Sequence, residues 1–264
     1  MKESLLDIGK GISLRVVSNL DQYQEGPVLV FLHEGLGSIG QWKSFPEELS
    51  EKLRLPFIAY DRYGYGGSTA RPRPWPSTFM LEEAQVYLPA LVNVMGIDRP
   101  LVLIGHSDGG SIALLAAARK ELDIIGVVSI AMHVLMEPHT RKGLEGAREM
   151  FSGTRFRAGL EQYHGDHTDD TFYGWNDALL LPEPECWDIR PVLRDIECPV
   201  LVVQGDDDDF GTLRQVDGVL DNVRGSEALL IRDCGHRPHI QRKGPLLEGV
   251  RLFVRRSAKA SWKL

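Results

Sequence analysis

The sequence predicts an α/β domain: a mostly parallel central sheet covered by helices on both faces. Three observations carry that prediction. Short runs of branched apolar residues alternate with breaker-poor helical stretches, the pattern that builds parallel sheets from strand–helix–strand units. The runs are apolar throughout rather than at every second residue, as strands buried on both faces must be. One of them, Pro100-Leu101-Val102-Leu103-Ile104, leads into Gly105-His106-Ser107-Asp108-Gly109-Gly110 and then into an Ala-rich helix. Taken in order, residues up to about Val17 read as two short antiparallel strands at the sheet edge, followed by a loop at 21–26. Strands follow at 28–32, 57–60, 101–104, 124–130, 200–203 and 229–231. Helical patterns fall between them at 41–53, 80–95, 107–120, 213–223 and 245–255, with Gly96 closing the second as a C-cap. Between His133 and about Ile196 the alternation breaks down. The chain therefore divides into a core, 1–133 and 197–264, and an insertion, 134–196.

Composition bounds the function. A chain of 264 residues with 43% hydrophobic content is enough for one α/β core carrying an insertion. A net charge of −7 with no concentrated basic face argues against nucleic acid as a partner. The cluster Arg255-Arg256-Ser257-Ala258-Lys259 reads as a solvated helix end. Cys186, Cys198 and Cys234 are not spaced in metal-like pairs and point to a reducing compartment. Met1-Lys2-Glu3-Ser4 opens without the apolar core of a signal peptide, and no run reaches membrane-spanning length. A cytoplasmic protein acting on a small molecule, without a membrane or nucleic-acid partner, is the expectation; oligomeric state is left open.

The glycine-flanked serine is where chemistry enters. Ser107 stands where strand turns sharply into helix, and glycines two before and two after it remove side chains that would clash there. Such a turn, a nucleophile elbow, pushes the hydroxyl out at the carboxyl edge of the sheet, toward the new helix's N-terminus. The bland reading is a tight turn whose serine only caps the helix. A hydroxyl near neutral pH needs a base, and the base needs an orienting acid. The strand at 200–203 runs through Gln204-Gly205 into Asp206-Asp207-Asp208-Asp209, and the strand at 229–231 leads through Asp233-Cys234-Gly235 to His236. Serine, acid and histidine thus occur in a chain order that an esterase-like site would use.

On these residues the chain resembles a serine hydrolase of the α/β-hydrolase fold superfamily. The resemblance runs from Val28-Leu29-Val30-Phe31-Leu32-His33 to the last helix, and includes Asp61-Arg62-Tyr63-Gly64-Tyr65-Gly66-Gly67-Ser68, similar to the family's D-x-x-G-x-G-x-S turn. It implies an α/β-hydrolase fold, a small helical cap in the 134–196 slot and a triad of Ser107, Asp208 and His236. Family spacing selects Asp208, with Asp207 and Asp209 as the other possible registers. The implied oxyanion donors are the backbone N–H groups of Gly35 and Asp108. Glu34 departs from the family's usual glycine. With Asp108 it places two carboxylates near the site, so both side chains are expected to turn away, Glu34 held by loop amides or by a basic residue such as Arg62.

Rival motifs explain less. Gly35-Leu36-Gly37-Ser38-Ile39-Gly40 is a literal G-x-G-x-x-G with Asp61 downstream, but Glu34 would sit beside the phosphates and the triad positions would go unused. His164-Gly165-Asp166-His167 with Asp169 and Asp170 has metal-ligand residue types without a metalloenzyme spacing, and reads as a solvated cap segment. Asp206 to Asp209 lacks the rest of a calcium loop. No metal or organic cofactor is expected. His33 reads as a structural prop for the oxyanion turn and His106 as a packing residue, while His133, His139 and His239 carry no signal. Of the insertion's aromatics, most are expected to pack the cap, and one or two to line the pocket. The reading is a carboxylic-ester hydrolase working through an acyl-enzyme on Ser107. C–C bond hydrolysis or lyase chemistry on the same triad, or a slow-turnover ligand sensor on the same scaffold, are the alternatives.

Overall fold

The computed structural model describes residues 1–180 and 187–261. Eight strands form one sheet: β1 (Lys2–Asp7), β2 (Ser13–Ser18), β3 (Val28–Leu32), β4 (Phe57–Tyr60), β5 (Leu101–His106), β6 (Ile124–Ile130), β7 (Val200–Gly205) and β8 (Glu227–Ile231). Their spatial order is β1-β2-β4-β3-β5-β6-β7-β8. The first two strands pair antiparallel at one edge, β2 runs antiparallel to β4, and every later pairing is parallel. The expected α/β-hydrolase architecture is therefore present.

Between the strands run α1 (Phe45–Leu53), α2 (Phe79–Glu82), α3 (Leu88–Val94), α4 (Asp108–Arg119), α5 (Pro138–Phe151), α6 (Thr154–His164) and α7 (Thr168–Leu180). After them come α8 (Arg190–Leu193), α9 (Leu213–Leu220), α10 (Pro238–Gln241) and α11 (Lys243–Ser261). Alternate residues of one strand enter different cores. Val28, Val30 and Leu32 of β3 join α4 and the α2–α3 layer on one face, while Leu29 and Phe31 meet α1 and α11 on the other. Phe31 stands edge-on to Trp42, Phe45 and Phe57, with centroids 5.4, 6.2 and 5.9 Å away. Such aromatic pairs add to the area they bury.

Element ends differ from the sequence reading for local reasons. β5 continues to His106 because its ladder with β6 extends to His106 opposite Ile130, so pairing, not apolarity, sets the strand's end. The helix expected at 41–53 is a short 3₁₀ turn, Ile39–Trp42, then α1; Lys43, at φ 53°, breaks the run, and Pro46 starts the new helix. The helix expected at 80–95 widens into a π turn at Glu83–Tyr87, just before Pro89, which has no N–H to return to the preceding turn. Gly96 closes it at φ +61°.

Between β6 and β7 the chain builds α5, α6, α7 and the short α8, and Leu144 of α5 and Trp175 of α7 come beside Ser107 at the end of β5. Phe151 of α5 and Phe172 of α7 stack with centroids 3.7 Å apart. The returning chain is tied down by an isolated bridge, where Met136 N–H donates to Trp187 O (2.9 Å) and Ile189 N–H to Val134 O (2.9 Å). Cys186 lies outside the described residues. Among the described residues, no helix is long and apolar enough to cross a membrane.

The β5–α4 turn sits against neighbouring backbone with no room for side chains. A Cβ on Gly105 would enter the Gly109 carbonyl, and one on Gly109 would enter the Leu32 carbonyl of β3. Backbone cannot give way as a flexible side chain can. Gly109→Ala is therefore expected to destabilise by more than about 4 kcal/mol, or to abolish folding. Gly146→Ala, within α5 and facing open space, is expected to raise stability by about 0.5–1 kcal/mol. Thermal melts of the two variants check both signs.

Candidate active site

Ser107 is forced into an unusual conformation by its position. It joins β5 to α4 at φ 53° and ψ −119°, a region costly for a residue with a Cβ. The strain is held by backbone bonds: Ser107 N–H donates to Ile130 O (2.8 Å), and its own carbonyl accepts from Gly110 and Ser111 (2.8 and 3.1 Å). The hydroxyl projects at the carboxyl edge of the sheet, as the motif predicts.

The acid and the histidine arrive from two later strand ends. Asp208 follows β7 and His236 follows β8. Nδ1 of His236 lies 2.9 and 3.0 Å from the two Asp208 oxygens, and Nε2 lies 3.0 Å from Ser107 Oγ. With Nδ1–H donating to the carboxylate, Nε2 keeps the lone pair that accepts the serine O–H. Of the four aspartates, Asp208 is the buried one and the one that meets His236; Asp206, Asp207 and Asp209 are exposed. Asp208 also accepts from Phe210 N–H (2.8 Å), Gly211 N–H (3.3 Å) and Gln204 Nε2 (2.7 Å). Burial raises the Asp208 pKa, but the contact with His236 and the two loop amides outweigh it and hold it below the usual carboxylate value. Gln204 gave no signal in the sequence, because a strand-end glutamine has no distinguishing spacing.

The second half of the site is the loop after β3. Gly35 lies against the Trp175 indole and the Asp108 carboxylate. Among the described residues, neither the Gly35 nor the Asp108 N–H meets a protein acceptor. Asp108 has its carboxylate held by His133 Nε2 (2.9 Å) and Trp175 Nε1 (3.0 Å), with Arg62 Nη2 at 3.9 Å. Glu34 differs in part from expectation. Arg62 grips its backbone carbonyl (2.9 Å), while the carboxylate faces His106 Nδ1 at 3.4 Å. Burial raises the Glu34 pKa, but His106, His239 and His33 together hold it well below the usual carboxylate range. His106 thus does more than pack: its Nε2 lies 2.7 Å from the His236 carbonyl, and its ring lies 4.7 Å from that of His239. His133 and His239 are placed by tertiary contacts that no local pattern records.

Two buried histidines fasten the Asp61–Ser68 turn. His33 Nδ1–H donates to Glu34 O (2.8 Å), and its Nε2 accepts from Arg62 N–H (3.0 Å). His164 donates from Nε2 to Leu36 O (3.2 Å) and accepts at Nδ1 from Gly66 N–H (3.0 Å). Each pair of contacts requires a neutral ring. His164 is therefore no solvated cap residue, contrary to the sequence reading; it is 1% exposed and anchors α6 to the core. Asp169 and Asp170 pair with Arg157 and Arg73. No group of three metal-ligating side chains is gathered among the described residues. The glycine-rich loop is filled by this chain's own side chains, and Asp61 spends its carboxylate on Ile39 N–H (2.7 Å), Gly67 N–H (2.8 Å) and Arg15 (3.2 Å). It is not free to meet a ribose.

Beside Ser107 lies a small chamber of about 20 Å³, walled by Leu144, Trp175 and Leu179 from the insertion and by Phe210 and His236 from the core. Trp175 is the aromatic of the insertion that lines it.

Two measurements test this arrangement. Asp208→Asn is expected to lower kcat by about 10⁴-fold by favouring the wrong imidazole tautomer, while Asp206→Asn and Asp209→Asn keep near-normal rates. Steady-state kinetics on a chromogenic ester decide it. The neutral histidines give a pH dependence. Burial depresses His164 from 6.5 to about 4, and burial with the Arg62 charge takes His33 well below its ordinary value. The unfolded chain then binds protons first, so their stabilisation is complete above the unfolded value and is lost as pH falls toward the folded one. The loss is about 1.4 kcal/mol per pH unit per histidine. His239, which burial takes to about 3, and His167, also lowered by burial, act in the same sense, while Asp61 and Glu83, raised chiefly by burial, act in the opposite one. Between about pH 7 and 5.5, below the unfolded histidine value, the lowered histidines outnumber the raised carboxyls, and urea midpoints are expected to fall. A constant midpoint across that window would contradict neutral His33 and His164.

The chain is similar to known proteins in sequence and in fold. Serine hydrolase BPHL of Mus musculus is 27% identical over 224 residues, covering 82% of this chain and 76% of that protein. Serine hydrolase BPHL of Homo sapiens is 28% identical over 228 residues, covering 83% and 77%. Proline iminopeptidase of Mycobacterium smegmatis superimposes with a TM-score of 0.76 at 17% identity, covering 98% of this chain and 100% of that one, a likeness of fold. Residues 29–246 match the profile of the Alpha/beta hydrolase family. A strained serine at the end of the fifth strand, facing a histidine and a buried aspartate carried by the two strand ends beyond, sits in a chain that belongs to the alpha/beta hydrolase family.

Proposed function

We propose that the protein hydrolyses a carboxylic ester of a small molecule through an acyl-enzyme on Ser107. The observation that carries this reading is the continuous line from Ser107 Oγ to His236 Nε2 at 3.0 Å and from His236 Nδ1 to Asp208 at 2.9 Å. His236 takes the serine proton as Oγ attacks the carbonyl carbon, and the N–H groups of Gly35 and Asp108 hold the developing oxyanion. The histidine then passes its proton to the departing alcohol. Water, deprotonated by the same ring, attacks the acyl carbon, and the serine leaves with the proton. Asp208 keeps the imidazole tautomer fixed and stabilises the cation formed in both halves.

The curated relatives named as serine hydrolases support the class of chemistry. The buried, hydrogen-bonded acid supports a working triad over a structural turn, because a helix-capping serine would need neither partner. The test is labelling by a fluorophosphonate followed by mass spectrometry of the peptides. Adduct is expected on Ser107 alone, with Ser107→Ala unlabelled and its ester turnover reduced on the order of 10⁴- to 10⁶-fold. Adduct on another serine, or full turnover by Ser107→Ala, overturns the proposal.

A further inference from the structure

The chamber at Ser107, about 20 Å³, is too small to hold an ester, so a substrate needs space elsewhere against the same machinery. A separate cleft of about 730 Å³ is lined by residues of the loops that flank the chamber, a volume in the range of small-molecule sites. It lies in the seam between the insertion and the core. Phe156, Leu160 and Tyr163 of α6 form one wall, and Ile240 of α10 part of the other. Its inner end reaches Glu34, which precedes the proposed oxyanion donor Gly35, and His239, three residues beyond His236. The cleft and the triad therefore share a loop on each side.

Three cations gather around it. Lys43, Arg155 and Arg237 line it, are exposed, and form no ion pair with a carboxylate among the described residues. Three other arginines of the insertion are matched, Arg141 by Glu145, Arg148 by Asp177 and Arg157 by Asp169, whereas Lys142 and Arg194 pair with no carboxylate among the described residues. Lys43 instead sets its ammonium 3.0 Å from the Tyr163 hydroxyl, so that core and insertion meet at a cation. The acid of the cleft, Glu34, is half-buried and turned to His106. In a chain of net charge −7, three unmatched cations around one apolar cleft form a local positive field. A carboxylate at the inner end and cations at the exposed positions also give the cleft a direction.

We infer that this cleft binds an amphipathic ester bearing an anionic group, a carboxylate or a phosphate, with its apolar stem on Phe156, Leu160 and Ile240 and its charge met by Lys43, Arg155 and Arg237. The anion faces outward, away from Glu34, and the ester carbonyl lies toward Ser107. The shared requirement is a full negative charge on an apolar stem; whether it is carried by carbon or phosphorus is read by experiment. The inference rests on the ester-hydrolase reading for its substrate class, and on the cleft alone for its ligand chemistry.

The test separates the two. Ser107→Ala protein is titrated calorimetrically with hexanoate, hexyl phosphate and hexan-1-ol at low and high salt. At least one anion is expected to bind about tenfold or more tighter than the alcohol, less so at high salt where screening is strong. That preference is expected to fall at least several-fold in Lys43→Gln/Arg155→Gln on the same background, where Arg237 alone of the three cations remains, with the melting temperature recorded beside it to separate lost binding from lost folding. The stronger of the two anions identifies the head group. In the active enzyme, the double substitution is expected to raise KM for 4-nitrophenyl hemiglutarate about tenfold more than it raises KM for 4-nitrophenyl pentanoate. Equal binding of hexan-1-ol and both anions, or an anion preference untouched by the double substitution, overturns the inference. Anion binding without turnover of any ester would sink the ester-hydrolase reading and leave the cleft's ligand chemistry standing. Ester turnover with no anion preference does the reverse.

Discussion

The close backbone approach of the β5–α4 turn to β3 is the constraint on which the rest of the structure depends. Gly109 rests on the Leu32 carbonyl and Gly105 on the carbonyl of Gly109. With no side chain between them, the helix can start at once where the strand ends, and Ser107 is left at φ 53°. The energy of that strained residue is offset by the buried parallel ladder on either side, since β5 is paired to both β3 and β6 along its length. The same approach brings the loop after β3 beside the start of α4. The two N–H groups proposed to hold an oxyanion are thus neighbours because two backbones touch.

Around that contact lies a polar layer in which each buried group holds a loop. Asp61 ties the turn after β4 to the loop after β3, through Ile39 N–H and Gly67 N–H. His33 and His164 accept backbone N–H groups from that turn, one from the core and one from the insertion. Arg62, 1% exposed, reaches the Glu34 carbonyl and lies over the Tyr65 ring at 4.3 Å. A buried polar group without a partner is costly, so such a layer favours one arrangement of the loops over many. It also fastens the insertion. His164 and Thr171 bond to backbone of the Asp61–Ser68 turn, and Trp175 bonds to Asp108 beside Ser107. Any movement of α6 or α7 to admit a substrate is therefore coupled to the residues flanking Ser107.

Much of this was legible in the chain because it is local. The apolar runs named the strands, and the glycines around Ser107 named the turn, since few other residues fit such backbone. Asp208 and His236 were legible at one remove, as residues that must follow particular strands, although sequence left three aspartates open and only side-chain burial separated them. His164 was misread because its neighbours, Gly165, Asp166, Asp169 and Asp170, are polar and suggest solvent; its partners Leu36 and Gly66 lie far away along the chain. The same distance in sequence hid Gln204, His133 and His239.

The sequence by itself determined which residue types stand at the strand ends, and with them the fold and the chemistry on offer. Backbone conformation over a few residues answers to steric rules that a short stretch of chain already obeys. The tertiary structure decided which polar groups become partners: which aspartate meets the histidine, where Glu34 turns, and which cations are left unmatched around the cleft. Those outcomes depend on desolvation and on distances between segments remote in sequence. They exist only once the sheet has brought the loops together and the insertion has closed over them.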